Sequence, residues 1–278
     1  TPAAAAVFAI EVTVVGIAHY SAIVPCLLSS LTAAMVADWF HVKPTSFLVR
    51  YIPEFHADSY FMLARTIIMG IAGAIVSIVF CKIMSKTAEL YKKYIKNPYL
   101  RILAGGAIVA AISMLIYALT GSFDYNGAGT DIIKKAFIGQ SRPEAFILKM
   151  LLTALTLGCG FKGGEIVPSL YIGATFGCFF GGLLGLSHSF GAAVGLAAVF
   201  CGVTNCPFAT LLLTIELFGA DGLPYYALVI GISYMLSGYT GLYSAQKFYD
   251  NKFIHRRFRH LKTYKEIKTD SAANNGKD

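Results

Sequence analysis

The sequence predicts an all-α polytopic membrane protein, and three observations carry that expectation. Of its 278 residues, 56% are hydrophobic and only 14% are charged, too small a charged share to coat a soluble domain of this size. The mean hydropathy is +0.63. Long apolar runs are the third observation. Residues 102–119 and 168–186 carry no charge, and residues 61–80 carry only Arg65; each run approaches the ~20 residues that span a bilayer.

The same composition narrows the function classes. The formal charge of +8 fits basic cytoplasmic loops in a membrane protein, with no nucleic acid as partner. Six cysteines lie mostly inside apolar runs at unrelated spacings, as small buried residues and not as a disulfide framework or a zinc site. Six histidines form no His-Glu-x-x-His or His-x-His pattern, so no metal and no cofactor is expected. The N-terminus has no charged, apolar and cleavage-site succession of a signal peptide.

The elements follow in order. A short apolar helix covers 2–11 and ends at Glu11, and a second apolar run covers 14–40. Residues 41–57, with Pro44, Arg50, Pro53 and Glu54, read as a connection. A long helix over 58–94 turns amphipathic at its end. There Lys82, Lys86, Lys92, Lys93, Lys96 and Arg101 stand against Glu89 alone, which places that end in the cytoplasm. The helix over 99–119 returns outward to "GSFDYNGAGTD", a loop with two aspartates and no basic residue. Short helices at 130–138 and 144–157 precede a glycine-rich run; apolar segments at 165–184, 191–203, 207–218 and 222–237 follow it, then a short helix at 241–249. Several of these are too short for a straight crossing, the mark of broken helices around a site at mid-membrane. The tail from Lys252 is basic, cytoplasmic and partly disordered beyond Asp270.

An internal repeat lies in this pattern. "TPAAAAVFAIEV" at 1–12 aligns with "CPFATLLLTIEL" at 206–217: Pro2 with Pro207, Ala4 with Ala209, Ile10 with Ile215, Glu11 with Glu216. Repeats are frequent in transporters. The second copy has a glycine motif about fifty residues upstream; the counterpart of that motif is expected before Thr1. This divides the chain into 1–40, the end of a first repeat; 41–250, a second repeat; and 251–278, a tail.

The motif is "GCGFKGGEIVPSLYIGATFG", 158–177. A helix that starts inside a membrane leaves its first N–H groups without partners, and the macrodipole puts partial positive charge there. An anion satisfies both conditions. Gly163 and Gly164 let the backbone approach a ligand, Pro168 suits a first helical turn, and the amides of Glu165, Ile166 and Val167 would face the ion. Gly173, Gly177, Gly181 and Gly182 permit close helix packing afterwards. No lysine is needed in contact with the ion, which keeps release possible.

Four stretches in this order resemble the CLC chloride channels and transporters. "GGEIVPSLYIGATFG" is similar to the family's Gly-x-Phe-x-Pro anion-site region. "NCPFATLLLTIEL" and "TPAAAAVFAIEV" resemble equivalent helices of its two repeats. "GLYSAQKFYDNK" resembles the last membrane helix, whose tyrosine matches Tyr243. The resemblance implies an inverted-repeat fold with broken and re-entrant helices, lacking most of the first repeat. It implies transport of an inorganic anion, chloride first, by a channel or an anion/proton antiporter. It also implies a homodimer in the lipid bilayer of the cell membrane, and an anion site at Gly163, Gly164, Glu165, Ile166, Val167 and Tyr243.

Departures from the family pattern define what else is expected. The stretches with the family's anion-site serine and gating glutamate are absent and would precede Thr1. The Gly-Gly-Glu-x-x-Pro form looks like the fluoride-exporting branch, although that branch often has threonine where Val167 stands. The internal proton-transfer position falls on Val12, with Glu11 one residue before it.

Each singled-out residue also has a plain structural reading. Glu165 reads equally as an acid serving only its helix start, Tyr243 as an interface anchor, and Glu11 and Glu216 as plain helix-end residues or, given the repeat, as a structural pair. Lys162 reads as a snorkelling or vestibule residue, and Asp124 and Asp131 as loop and cap residues. A membrane-embedded enzyme or unrelated carrier remains the reading from another class, but no nucleophile, metal-ligand set or facing pair of acids supports an enzyme.

Overall fold

The computed structural model describes residues 1–42, 46–53, 60–250, 252 and 257–274. Uninterrupted apolar runs become long helices, and runs broken by glycine or proline become short ones. Helix α1 covers Pro2–Glu11 and α2 covers Ile23–Trp39, entered through a single 3-10 turn at Tyr20–Ala22. Helix α3, Tyr60–Tyr94, is 35 residues long. A tight turn leads to α4, Pro98–Thr120. That helix starts where the Asn97 side chain accepts from the Tyr99 N–H at 3.0 Å and ends at Gly121 with φ 70°, the residue types those positions favour. Helices α5 (Thr130–Phe137), α6 (Ala145–Gly158), α7 (Ile166–Leu183), α8 (His188–Thr204), α9 (Pro207–Phe218) and α10 (Leu223–Leu236) follow. Four helical stretches, within Tyr20–Trp39, α3, α4 and α7, are long and apolar enough to cross a bilayer. The others, at ~1.5 Å per residue, fall short of its ~30 Å core.

The centre of the molecule is the α7–α8 pair. Every residue from Ser189 to Thr204 is buried, as expected for a helix that is apolar all round. Glycines allow the two backbones to meet. A Cβ on Gly173 would come within 2.7 Å of the Leu196 Cα, and one on Gly181 within 2.8 Å of the Gly191 Cα. Around this pair lie α3, α6 and α10. Helix α2, by contrast, has no buried residue.

Helices α1 and α9 realise the internal repeat as a reciprocal pair. The Glu216 carboxylate accepts from the Ala3 and Ala4 N–H groups at 2.9 and 3.0 Å. The Glu11 carboxylate accepts from the Phe208 and Ala209 N–H groups at 3.1 and 2.8 Å. Each helix thus ends in the acid that caps the other. The paired structural role expected of the two glutamates is the one they hold.

Two expectations need correction. Residues 241–249 do not form a helix: they make turns and enter strand β2, Lys247–Asp250. This strand pairs in parallel with β1 (Val14–Val15) and antiparallel with β3 (Arg257–Thr263), with Val14 opposite Lys247 and Lys247 opposite Thr263. The ladder takes the backbone hydrogen bonds that a helix would have used. The tail, expected to be partly disordered beyond Asp270, forms β3 and then α11, which runs from Tyr264 to Asn274. The connection at 41–57 lies partly outside the described residues.

Candidate anion site

Helix α7 begins at the glycine motif, and its own hydrogen bonding opens with the Ser169 N–H donating to the Glu165 carbonyl at 3.1 Å. The amides of Ile166 and Val167 therefore have no acceptor within the helix. Glu165 occupies the cap position, yet its side chain makes no cap hydrogen bond. A Cβ added at Gly164 would meet nothing within 4 Å, while one at Gly163 would approach the Leu157 Cδ2 at 2.9 Å. Of the two glycines, Gly164 faces open space and Gly163 packs.

One cavity reaches this helix start, and a second is lined by Tyr243. The first, about 380 Å³, lies toward the 121–129 loop and is lined by Ser113, Asn126, Lys149, Thr153, Gly164 and Pro168 among others. The second, about 390 Å³, lies toward the 95–97 turn and is lined by Cys81, Lys82, Lys86, Tyr243, Gln246 and Lys265 among others. The Glu165 carboxyl is near enough to act electrostatically on both the Tyr243 phenol and the Cys81 thiol, which line the second cavity. Gly164 and Pro168 of the α7 start line the first cavity, and Tyr243 lines the second.

Tyr243 stands in the turn that replaces the expected last helix. Its ring meets Phe8 of α1 edge-on, with centroids 6.2 Å apart. The structure thus brings Gly164, Glu165, Ile166, Val167 and Tyr243 to one region, with Gly163 as packing support. Lys162 is exposed and makes no described contact with this region. Asp124 and Asp131 pair with Lys135 at 3.9 Å and Lys134 at 3.7 Å, in keeping with loop and cap roles. Val12, at the proton-transfer position of the family, is the C-cap of α1.

Sequence reading missed several polar residues around the site. Lys149, buried in α6, donates to the Tyr125 and Gly127 carbonyls at 3.2 and 2.6 Å and lies 4.9 Å from the Tyr171 ring centre. It ties the 121–129 loop to the rim of the first cavity. Its signal was a lone lysine within an otherwise uncharged run. Asn205, Gln246 and Lys252 form a second buried group beside Tyr243. Burial pushes the Lys252 amine down to about 7, against the opposing pull of the Cys201 and Cys206 thiols.

A scan against known families matches the voltage-gated chloride channel model over residues 1–238. The chain belongs to the CLC family. A chloride/fluoride channel protein of Pseudomonas syringae pv. tomato is 34% identical over 253 residues, 89% of this chain and 54% of the relative. An H(+)/Cl(-) exchange transporter of Vibrio cholerae is 24% identical over 209 residues, 69% of this chain and 42% of that protein. Among solved structures, a CLC-type fluoride/proton antiporter superposes with a TM-score of 0.82 at 30% identity, covering 89% of this chain and 61% of its own. The chain therefore spans about half the length of the curated relatives it matches.

As a CLC membrane domain, the fold is the polytopic helical one that the sequence implied. It also carries a small three-stranded sheet, in the order β1-β2-β3.

Proposed function

We propose that this chain forms an anion-selective part of a CLC transport pathway and carries a small inorganic halide, one pathway per subunit. The observation that carries this reading is the uncapped start of α7, whose Gly164 and Pro168 line one cavity while Tyr243 lines another. An ion passing there meets the amides of Ile166 and Val167, the Tyr243 hydroxyl and the Glu165 carboxyl. Backbone dipoles and a hydroxyl attract an anion without the full cation that would trap it. The lysine-rich end of α3 supports a cytoplasmic face for the second cavity and the tail, in the cell membrane. The reciprocal caps of α1 and α9 support the division into 1–40, 41–250 and 251–278. Residues Val24, Leu28, Leu31 and Met35 form one exposed apolar stripe on α2, and Phe208 on α9 is exposed as well. Such a face suits a second copy of the chain.

Fluoride is the favoured halide. Glu165 stands at the start of α7 with no cap bond of its own, and a carboxyl held protonated beside an anion donates a hydrogen bond that a small hard ion accepts best. Two relatives at 30% identity or more carry fluoride in their names. Chloride is the second reading, supported by Val167 in place of a hydroxyl-bearing residue. Paired fluoride and chloride efflux from liposomes between pH 5 and 9 tests both. Fluoride is expected to leave faster, and Glu165→Asp, which withdraws the donor by one methylene, is expected to change the ratio. Glu165→Gln, which keeps a donor, is expected to transport at least as well at neutral pH. One ratio for all three proteins would remove Glu165 and leave a chloride site of amides and Tyr243. Absence of flux for either ion would overturn the reading.

A further inference from the structure

Tyr243 is not on a regular element, so something else must fix where its hydroxyl points. Gln246 closes the turn by donating its N–H to the Tyr243 carbonyl at 3.1 Å. Its side chain, 3% exposed, donates from Nε2 to two carbonyls, Val12 at 3.0 Å and Thr204 at 2.8 Å. Those carbonyls belong to the C-cap of α1 and the last residue of α8. Both are acceptors only, which fixes the orientation of the amide. The Gln246 Oε1 accepts from the Asn205 Nδ2 at 3.1 Å, and the same nitrogen donates to the Thr240 carbonyl at 3.0 Å.

Asn205 is fully buried and sits in the left-handed region, φ 59°, where asparagine is tolerated as a helix C-cap. Its Oδ1 accepts from the Lys252 Nζ at 2.6 Å, and Lys252 also donates to the Tyr234 carbonyl at 3.0 Å. The turn from Thr240 to Gln246 is thereby fastened at both ends to helices that flank the anion region. A buried amide pair with every donor satisfied holds one geometry, because any other leaves a polar atom unpaired.

We propose that Gln246 and Asn205 are positioning residues that set the Tyr243 hydroxyl toward the anion. The inference rests on the reading of Tyr243 as an ion ligand, and a double-mutant cycle separates the two. Halide affinity of the purified protein is measured for Tyr243→Phe, Gln246→Leu and the double variant. Asn205→Gly is the second probe, since glycine keeps φ 59° without strain and removes only the side-chain contacts. It is measured alone and in the Tyr243→Phe background. Tyr243→Phe is expected to weaken affinity by about 2- to 10-fold. Gln246→Leu and Asn205→Gly are each expected to weaken it by a similar factor in the wild type and to add almost nothing in the Tyr243→Phe background. Equal losses in both backgrounds would mean that the amides support the fold at large, and would overturn the proposal while sparing the tyrosine. No loss in Tyr243→Phe would remove the tyrosine as a ligand and the proposal with it. If Gln246→Leu fails to fold, the Asn205→Gly pair decides alone.

Discussion

Three helix starts, those of α1, α9 and α7, treat their first amides in two ways. The starts of α1 and α9 are closed: Glu216 takes the amides of Ala3 and Ala4, and Glu11 takes those of Phe208 and Ala209. The start of α7 also has a glutamate at hand, but the Glu165 side chain does not cap its own helix. The same chemistry, a carboxylate near exposed N–H groups, is structural in the first case and, on the proposed reading, leaves the amides to an exchangeable anion in the second. A helix start that carries its own permanent anion cannot bind another.

Removing one acceptor from each glutamate breaks this comparison most sharply. Glu11→Gln or Glu216→Gln leaves one amide facing an NH₂ group. Each is expected to lower stability by about 2–4 kcal/mol, the scale of a charge-assisted hydrogen bond together with an orphaned donor. Thermal unfolding in detergent reads this directly. The identical change at Glu165 is expected to shift stability by less than about 1 kcal/mol, since no cap bond is lost. Equal destabilisation at all three positions would erase the distinction between closed and open starts.

The glycines give the next largest contrast. Gly173→Ala drives a methyl against the Leu196 backbone at 2.7 Å, and overpacking of this kind costs about 1–3 kcal/mol. Gly164→Ala places its methyl in open space, so stability should hold while halide affinity falls, because the methyl occupies the approach to the amides. Titration of fluoride into both variants distinguishes the two glycines. Unaltered affinity in Gly164→Ala would put the ion elsewhere.

Tyr243→Phe is a smaller change. Loss of one hydroxyl should weaken halide binding by about 0.5–1.5 kcal/mol without altering expression or fold. Calorimetry that shows no difference would leave Tyr243 as a packing residue against Phe8.

A separate contrast concerns pH and the turn behind the tyrosine. Lys252 titrates near 7 in the folded protein and near 10.5 when free, because burial disfavours its charge. Between those values the unfolded chain holds the additional proton, so stability should rise with pH across that window and be level below it. Lys252→Met is expected to flatten the rise. Parallel pH profiles for the two proteins would assign the rise to other groups.

Much of this was legible in the sequence where the signal is local. Apolar runs gave the helices to within a few residues, as at Tyr60–Tyr94 and Pro207–Phe218, because hydrophobic length and proline or glycine punctuation act within one segment. Pro2 with Pro207 and Glu11 with Glu216 exposed the repeat, but their reciprocal capping depends on two helices lying antiparallel, which no local pattern specifies. The segment 241–249 was expected to be a helix and resembles the family's last membrane helix, and no local pattern in it announces a strand. Strand β2 forms there because partners from Val14–Val15 and residues 257–263 offer their edges. Asn205 and Gln246 were overlooked for the same reason. Each is an uncharged amide whose partners lie on other elements, and only packing shows that neither is spare.

The central claim is that the α7 start is an anion site and the α1 and α9 starts are not. Amide ¹H–¹⁵N shifts of the protein in lipid, followed during fluoride and chloride titrations, test it at single residues. Saturable shifts are expected at Ile166 and Val167, with Ala3, Ala4, Phe208 and Ala209 unmoved. Shifts absent from Ile166 and Val167 at halide concentrations that support transport, or equal shifts at all three helix starts, would contradict it.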